Sequence, residues 1–317
     1  MAAKISFIFP GQGSQFIGMG YDLFKESRSI RTIFEEVDDV TQKPISKLCF
    51  EGPLEELTLT ENLQPAITAV NLACLTALQN SGYHSEITSG HSLGEYSALV
   101  SSGIVNIKDA LRMVQKRGEL MQREAMINPG SMIAVIGLDI TSVRDLVDYA
   151  RGDNILNIAN HNTAEQIVIT GEKEPLARAV KLVKEKKGKA IPIKVSGAWH
   201  SKLMEAAVED FRRFMQDIAF SKPSSKILFN ASAEYKTDPE DIKEIMASQL
   251  VNPVMWYDII VKMLEEGVDT FVEVGPKKVL TGLLKKIIRQ KKAIQIFNVQ
   301  DIASIKDFQK EIPAPSV

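Results

Sequence analysis

The spacing of apolar positions divides the chain into alternating strands and helices. Lys4-Ile5-Ser6-Phe7-Ile8-Phe9 reads as a first strand, broken by Pro10-Gly11-Gln12-Gly13-Ser14-Gln15. Helical stretches dominate from about 21 to 82. One is expected to begin at Leu63-Gln64-Pro65, and its following turns are apolar on nearly every side, the pattern of a buried helix. Ile87-Thr88-Ser89 ends a short strand, and Glu95 to Val100 opens a helix. Asn106 is placed to cap a further helix carrying Ala110, Met113, Val114, Arg117 and Met121 on one stripe.

The pattern changes at Asn128-Pro129-Gly130. Met132 to Gly137, Ile155 to Ala159, Gln166 to Thr170 and Ala190 to Val195 read as strands. Val143, Leu146, Val147 and Ala150 repeat at helical spacing, as do Leu176, Ala179, Val180 and Val183. The order βαββαβ is that of a ferredoxin-like unit, expected at 128–196 as an insertion. The surrounding domain, 1–127 and 197–310, resumes with a helix marked by Leu203, Ala207, Phe211, Met215 and Ile218. Further strands are expected at Lys226 to Asn230, Thr270 to Val274 and Ala293 to Val299. Alternating strands and helices imply an α/β fold with a mainly parallel sheet covered on both faces. Sites in such sheets lie at the carboxyl ends of the strands, where the Gln12 turn and the segment after Ser89 both fall. Residues 311–317 read as a disordered tail.

Composition narrows the class without naming a chemistry. At 317 residues the chain can bury a sizeable core, and 44% hydrophobic with 25% charged residues is ordinary for a soluble domain. A net charge of −2 gives no reason to expect nucleic acid. Cys49 and Cys74 have no metal or redox spacing and read as reduced core thiols. No apolar run approaches the roughly 20 residues that span a membrane, and no signal peptide is seen. The expectation is a cytoplasmic monomer with no membrane, metal or cofactor requirement.

The chemistry concentrates at Gly90-His91-Ser92-Leu93-Gly94, which matches the G-x-S-x-G nucleophile elbow. In that motif a sharp strand-to-helix turn presents a serine hydroxyl, and the glycines make room for it. A serine hydroxyl needs a base. Of the four histidines, His91 adjoins the nucleophile and diverges from it, His84 is expected on the surface, and His161 lies in the inserted unit. His200 stands where the chain re-enters the large domain and is the favoured base. The oxyanion needs the N–H of Leu93 and a second N–H from a glycine turn. Gly11-Gln12-Gly13 is the candidate, although its composition equally suits an ordinary βα turn. Arg117 interrupts an apolar stripe and needs an anionic partner. A structural carboxylate is favoured over a ligand carboxylate on the residues alone.

Phe9-Pro10-Gly11-Gln12-Gly13-Ser14-Gln15, Gly18-Met19-Gly20, Gln64-Pro65-Ala66, Gly90-His91-Ser92-Leu93-Gly94-Glu95, Arg117-Gly118, Ala159-Asn160-His161-Asn162, His200-Ser201, Gln249 to Val254 and Glu273-Val274-Gly275-Pro276 occur in that order. From about residue 4 to 300 the chain resembles the malonyl-CoA:acyl-carrier-protein transacylase family. The resemblance implies a hydrolase-like α/β domain with an inserted ferredoxin-like subdomain. It implies that Ser92 carries malonyl from malonyl-CoA to the phosphopantetheine thiol of holo acyl carrier protein, for fatty acid biosynthesis. His200 would be the base, supported by the Gln249 carbonyl in place of a triad acid. The N–H groups of Gln12 and Leu93 would hold the oxyanion, Arg117 the malonyl carboxylate, and Met121 and Asn162 would line the acyl pocket. Ala198-Trp199-His200-Ser201 resembles the malonyl-type pattern, in which a bulky aromatic excludes a branch methyl. Trp199 replaces the commoner phenylalanine, and Lys277 stands where the family usually has glycine.

Three other readings share some of these residues. A trans-acting polyketide acyltransferase has every motif named above. A serine hydrolase shares the elbow but has no use for Arg117 and would carry an HGGG-type turn. A carrier-binding scaffold has no chemical need for Ser92, His200, Arg117 and Gln12 together. Basic residues at Lys181 to Lys189 and at Lys277, Lys278, Lys285, Lys286, Arg289, Lys291 and Lys292 read as solvated helix faces, or alternatively as a docking surface for an acidic carrier.

Overall fold

The computed structural model describes residues 3–288 and 293–313. Nine strands form two sheets: β1 Ile5–Phe9, β2 Ile87–Gly90, β3 Ser131–Ile136, β4 Leu156–Thr163, β5 Gln166–Gly171, β6 Lys189–Pro192, β7 Lys226–Ile227, β8 Thr270–Val274 and β9 Gln295–Val299. The larger sheet has the order β7-β2-β1-β8-β9, and each of its pairings is parallel. Every residue of β1, β2 and β8 is buried, as befits inner strands of a parallel sheet covered on both faces. The smaller sheet, β4-β5-β3-β6, is antiparallel and has the ferredoxin-like strand order.

The helices are α1 Tyr21–Glu26, α2 Arg28–Thr41, α3 Ile45–Glu51, α4 Leu54–Thr58, α5 Thr60–Asn80, α6 Gly94–Ser101, α7 Ile107–Ile127, α8 Ile140–Arg151, α9 Lys173–Glu185, α10 Glu205–Met215, α11 Pro239–Ser248, α12 Trp256–Glu265, α13 Val279–Ile288 and α14 Ile302–Glu311. α5 is buried nearly all round and packs on α7. Asn106 caps α7, its side chain accepting the Asp109 N–H at 2.8 Å. α8 and α9 cover one face of the smaller sheet through Val143, Leu146, Val147, Leu176, Ala179 and Val183.

Several boundaries differ from the sequence reading, and four of them have a visible cause. α5 starts at Thr60, so Pro65 lies inside it, held in a helix whose burial outweighs one missing N–H. The strand expected at Lys226 to Asn230 pairs only through Ile227, because Asn230 turns its side chain into the elbow. The strand expected from Ala190 to Val195 ends at Pro192, which cannot donate to the ladder; Ile193 and Val195 line a cavity instead. At the C-terminus, α14 includes Glu311, and the Ile312 carbonyl accepts the Tyr83 hydroxyl at 2.6 Å, so the expected tail does not begin at 311. Residues 314–317 of that tail, and Arg289, Lys291 and Lys292 of the basic group, lie outside the described residues.

Candidate active site

The elbow forms where β2 passes into α6. Ser92 has φ 50°, a left-handed conformation that a serine adopts only under constraint. A Cβ at Gly90 would lie 2.0 Å from the Gly94 carbonyl carbon, and one at Gly94 would lie 2.0 Å from the Phe9 oxygen. Both glycines are therefore fixed by close backbone approach. The turn is braced from below by Asn230. Its Oδ1 accepts the Ser92 N–H at 2.6 Å, and its Nδ2 donates to the Gly90 carbonyl at 2.7 Å.

His200 reaches Ser92 across 108 residues of chain, with Nε2 2.7 Å from Oγ. Its Nδ1 lies 3.0 Å from both the Gln249 and the Asn252 carbonyl oxygens. Two acceptors at Nδ1 require its hydrogen to be there, leaving the Nε2 lone pair for the serine proton. Burial, then the positive charge of Arg117, push the imidazole down to about 3; the two carbonyl hydrogen bonds oppose them. Such an imidazole is neutral throughout the physiological range. A backbone carbonyl thus occupies the position of the acid in a Ser-His-Asp triad.

Arg117 is 1% exposed, yet no carboxylate bonds it among the described residues. Nη1 donates to Gln64 Oε1 at 2.9 Å, and Nη2 to Gln249 Oε1 at 3.1 Å and to Ser92 Oγ at 3.2 Å. The structural Asp or Glu partner favoured on residues alone is absent. Two neutral amide oxygens take that role, which leaves the cation's charge uncompensated by direct contact. The nearest acid in this network is Glu95, whose carboxylate receives the Asn230 N–H at 2.7 Å and Gln249 Nε2.

A cavity of about 220 Å³ opens onto Ser92 and is also lined by Gln12, Leu93, Arg117, Met121, Asn162, Trp199 and His200. Its volume lies below the roughly 300–1,000 Å³ of drug-sized pockets and suits a short acyl group. Three larger surface grooves, about 660, 630 and 400 Å³, contain none of these groups. The Gln12 turn meets the elbow closely: a Cβ at Gly11 would fall 3.5 Å from the Leu93 nitrogen. Neither the Gln12 nor the Leu93 N–H is donated to a protein acceptor among the described residues. Met121 sulfur receives Gln64 Nε2 at 3.2 Å. Asn162 Oδ1 is 2.8 Å from His91 Nε2, so His91 lines the same cavity with its Nε2 engaged by Asn162, while His200 takes the serine hydroxyl.

The remaining expectations also resolve. His84 is exposed, and His161 bonds Asp258 at 2.9 Å. Lys277 adopts φ 62°, the conformation glycine favours, with its N–H on Gln300 Oε1 at 2.8 Å and its ammonium 3.3 Å from the Gly13 carbonyl. Lys286 donates to Gln166 Oε1 at 3.0 Å, next to the cavity. Sequence reasoning assigned no role to Asn230, Glu95, Gln64 or the Asn252 carbonyl. The signal available for Asn230 was a polar residue closing an apolar strand; Glu95 and Gln64 stood within quoted motifs without a stated task.

Residues 6–314 match the acyl transferase domain family. The malonyl CoA-acyl carrier protein transacylase of Bacillus subtilis (strain 168) is 41% identical over 302 residues, 95% of each chain. The protein of the same name from Haemophilus influenzae is 35% identical over 308 residues, 96% of this chain and 99% of its own. Among solved structures, an acyl carrier protein S-malonyltransferase from Vibrio cholerae superposes with a TM-score of 0.92 at 35% identity, covering 96% of this chain and all of its own. A malonyl-transacylase in complex with a type II PKS acyl-carrier protein also gives 0.92, at 34% identity and 98% coverage of this chain. The chain belongs to the acyl transferase domain family and, within it, to the malonyl CoA-acyl carrier protein transacylases.

Proposed function

We propose that this protein moves a malonyl group from malonyl-CoA to the phosphopantetheine thiol of acyl carrier protein, through a malonyl ester on Ser92. The observation that carries the reading is Arg117, a buried guanidinium with no bonded carboxylate among the described residues, 3.2 Å from the nucleophile. An acyl group ending in a carboxylate supplies the missing anion, and a planar fork binds it bidentately. Ser92 Oγ attacks the thioester carbonyl as its proton passes to His200 Nε2. The N–H groups of Gln12 and Leu93 take the developing oxyanion. The C–S bond breaks, and His200 returns the proton to the leaving CoA sulfur. The carrier thiol then gives its proton to His200 and attacks the ester; the carbonyl C–O bond to Ser92 breaks and His200 returns the proton to Oγ, freeing Ser92. Met121 and Asn162 border the acyl group.

Fatty acid synthesis is the pathway this reading assigns. The match to a malonyl-transacylase bound to a type II PKS carrier keeps polyketide supply as the second reading. No helix among the described residues is long and apolar enough to cross a membrane. The proposal places the protein in the cytoplasm as a monomer that uses no nucleic acid, in keeping with its net charge of −2 and two buried thiols. The test is intact mass spectrometry after adding malonyl-CoA and then holo carrier protein. The enzyme should gain one malonyl and lose it to the carrier, and Ser92→Ala should gain none. Malonyl transfer by Ser92→Ala would remove the mechanism.

A further inference from the structure

We propose that Glu95 is a positioning residue that sets Arg117 for the acyl carboxylate by fixing which way the Gln249 side-chain amide faces. The inference rests on the reading of Arg117 as the carboxylate's partner. Glu95 is 1% exposed, one residue into α6, and does not line the cavity. It acts through others.

Arg117 has no acceptor atom, so Gln249 must turn its oxygen toward Nη2, as it does at 3.1 Å. The Gln249 nitrogen then points the other way, where it donates to the Ser92 carbonyl at 3.1 Å and to Glu95 Oε2. Glu95 Oε1 is already taken by the Asn230 backbone N–H at 2.7 Å. Both Glu95 oxygens thus face N–H donors, and only the ionised form has no hydrogen of its own to set against the Gln249 nitrogen. The same Asn230 holds the Ser92 N–H, so one acid joins the elbow to the guanidinium.

Glu95→Gln breaks this circuit at a foreseeable place. The Asn230 N–H cannot rotate, so the new amide oxygen stays on it and the new NH₂ faces Gln249. Gln249 must flip to offer its oxygen, which sets its own NH₂ against Arg117, donor to donor. The guanidinium loses an acceptor and its fixed direction and the Ser92 carbonyl loses the Gln249 donor, while the Ser92 Oγ–His200 contact and the Gln249 main-chain carbonyl on His200 remain.

The experiment compares acylation of wild type, Glu95→Gln and Arg117→Met by malonyl-CoA and by acetyl-CoA, which lacks the carboxylate. Glu95→Gln should lower kcat/KM for malonyl-CoA about ten- to hundredfold, chiefly through KM, and change acetyl-CoA less than about threefold. Equal losses for both substrates, or an unchanged malonyl preference, overturn the proposal. If Arg117→Met leaves the preference unaltered, the underlying reading of Arg117 fails instead. Wild type gives a second measurement should Glu95→Gln not fold. Burial pushes the Glu95 carboxyl up to about 8, against its two hydrogen bonds and Arg117. The other titratable groups nearby sit outside that range: Tyr96 above its ordinary value, His200 at about 3, His91 lowered. The malonyl-to-acetyl preference should rise between pH 7 and 9 as Glu95 ionises. A preference flat across that interval overturns the proposal as well.

Discussion

Lowering the pH asks whether His200 is the desolvated base that its surroundings imply. An ordinary histidine near pKa 6.5 is about nine-tenths protonated at pH 5.5, which would cut base-dependent acylation roughly tenfold. His200, buried and beside Arg117, sits at about 3 and stays neutral there. The kcat/KM for serine acylation by acetyl-CoA, which has no carboxylate to engage Arg117, followed by rapid quench and mass spectrometry, should therefore change less than twofold from pH 7 to 5.5. The same shift has a stability consequence of definite sign. The folded pKa lies below the unfolded one, so the unfolded chain takes up the proton first as pH falls. Stability from this group is fully present above about 6.5 and lost toward 3, at about 1.4 kcal/mol per pH unit. At pH 4.5 the loss is about 2–3 kcal/mol relative to a His200→Gln reference measured by urea unfolding. Substrate should move this base in a selective way. A malonyl carboxylate on Arg117 offsets a charge that depresses His200, so saturating acylation shows a higher base pKa with malonyl-CoA than with acetyl-CoA. A tenfold fall in kcat/KM centred near pH 6.5 would refute the argument.

Arg117→Met keeps the apolar stripe of α7 and removes the fork; breaking a buried charge pair costs about 3–5 kcal/mol, so malonyl kcat/KM should fall about 10²- to 10³-fold or more with acetyl far less affected. Asn230→Ala leaves the Ser92 N–H and the Gly90 carbonyl without partners, at about 1–3 kcal/mol each, and should lower both the urea midpoint and the acylation rate; a variant as stable and fast as wild type sinks the brace. Trp199→Phe shortens a cavity wall whose six-membered ring lies over Gly197, where a Cβ would meet it at 2.6 Å. Methylmalonyl loading should then gain up to about tenfold on malonyl in a competition assay, the worth of roughly one methyl, and no gain would mean that Trp199 does not set the pocket's width.

Much of this molecule was legible along the chain because the signals are local. The elbow needs glycine on both sides of Ser92, and that requirement is written in five consecutive residues. Helical spacing marked most helices and short runs between turns marked most strands, and β8 appears where its run ends in a glycine turn. The choice of His200 followed from having few histidines to eliminate. Boundaries failed where a residue answered to something distant: Asn230 left the sheet to reach the elbow, and Pro65 stayed in a helix that its own turn would not have kept.

What the tertiary structure alone decided is the pairing of groups far apart in sequence. Residue type said that Arg117 needed an acceptor; only folding could show that Gln64 and Gln249 supply amide oxygens and that no carboxylate does. The direction of the Gln249 amide, the tautomer of His200 and the task of Glu95 depend on which donors face which acceptors across α6, α7 and the segment after α11. Periodicity reports the face on which a side chain lies and is blind to what waits opposite it. Hydrogen bonds are short and directional, so that last ångström belongs to the packed structure.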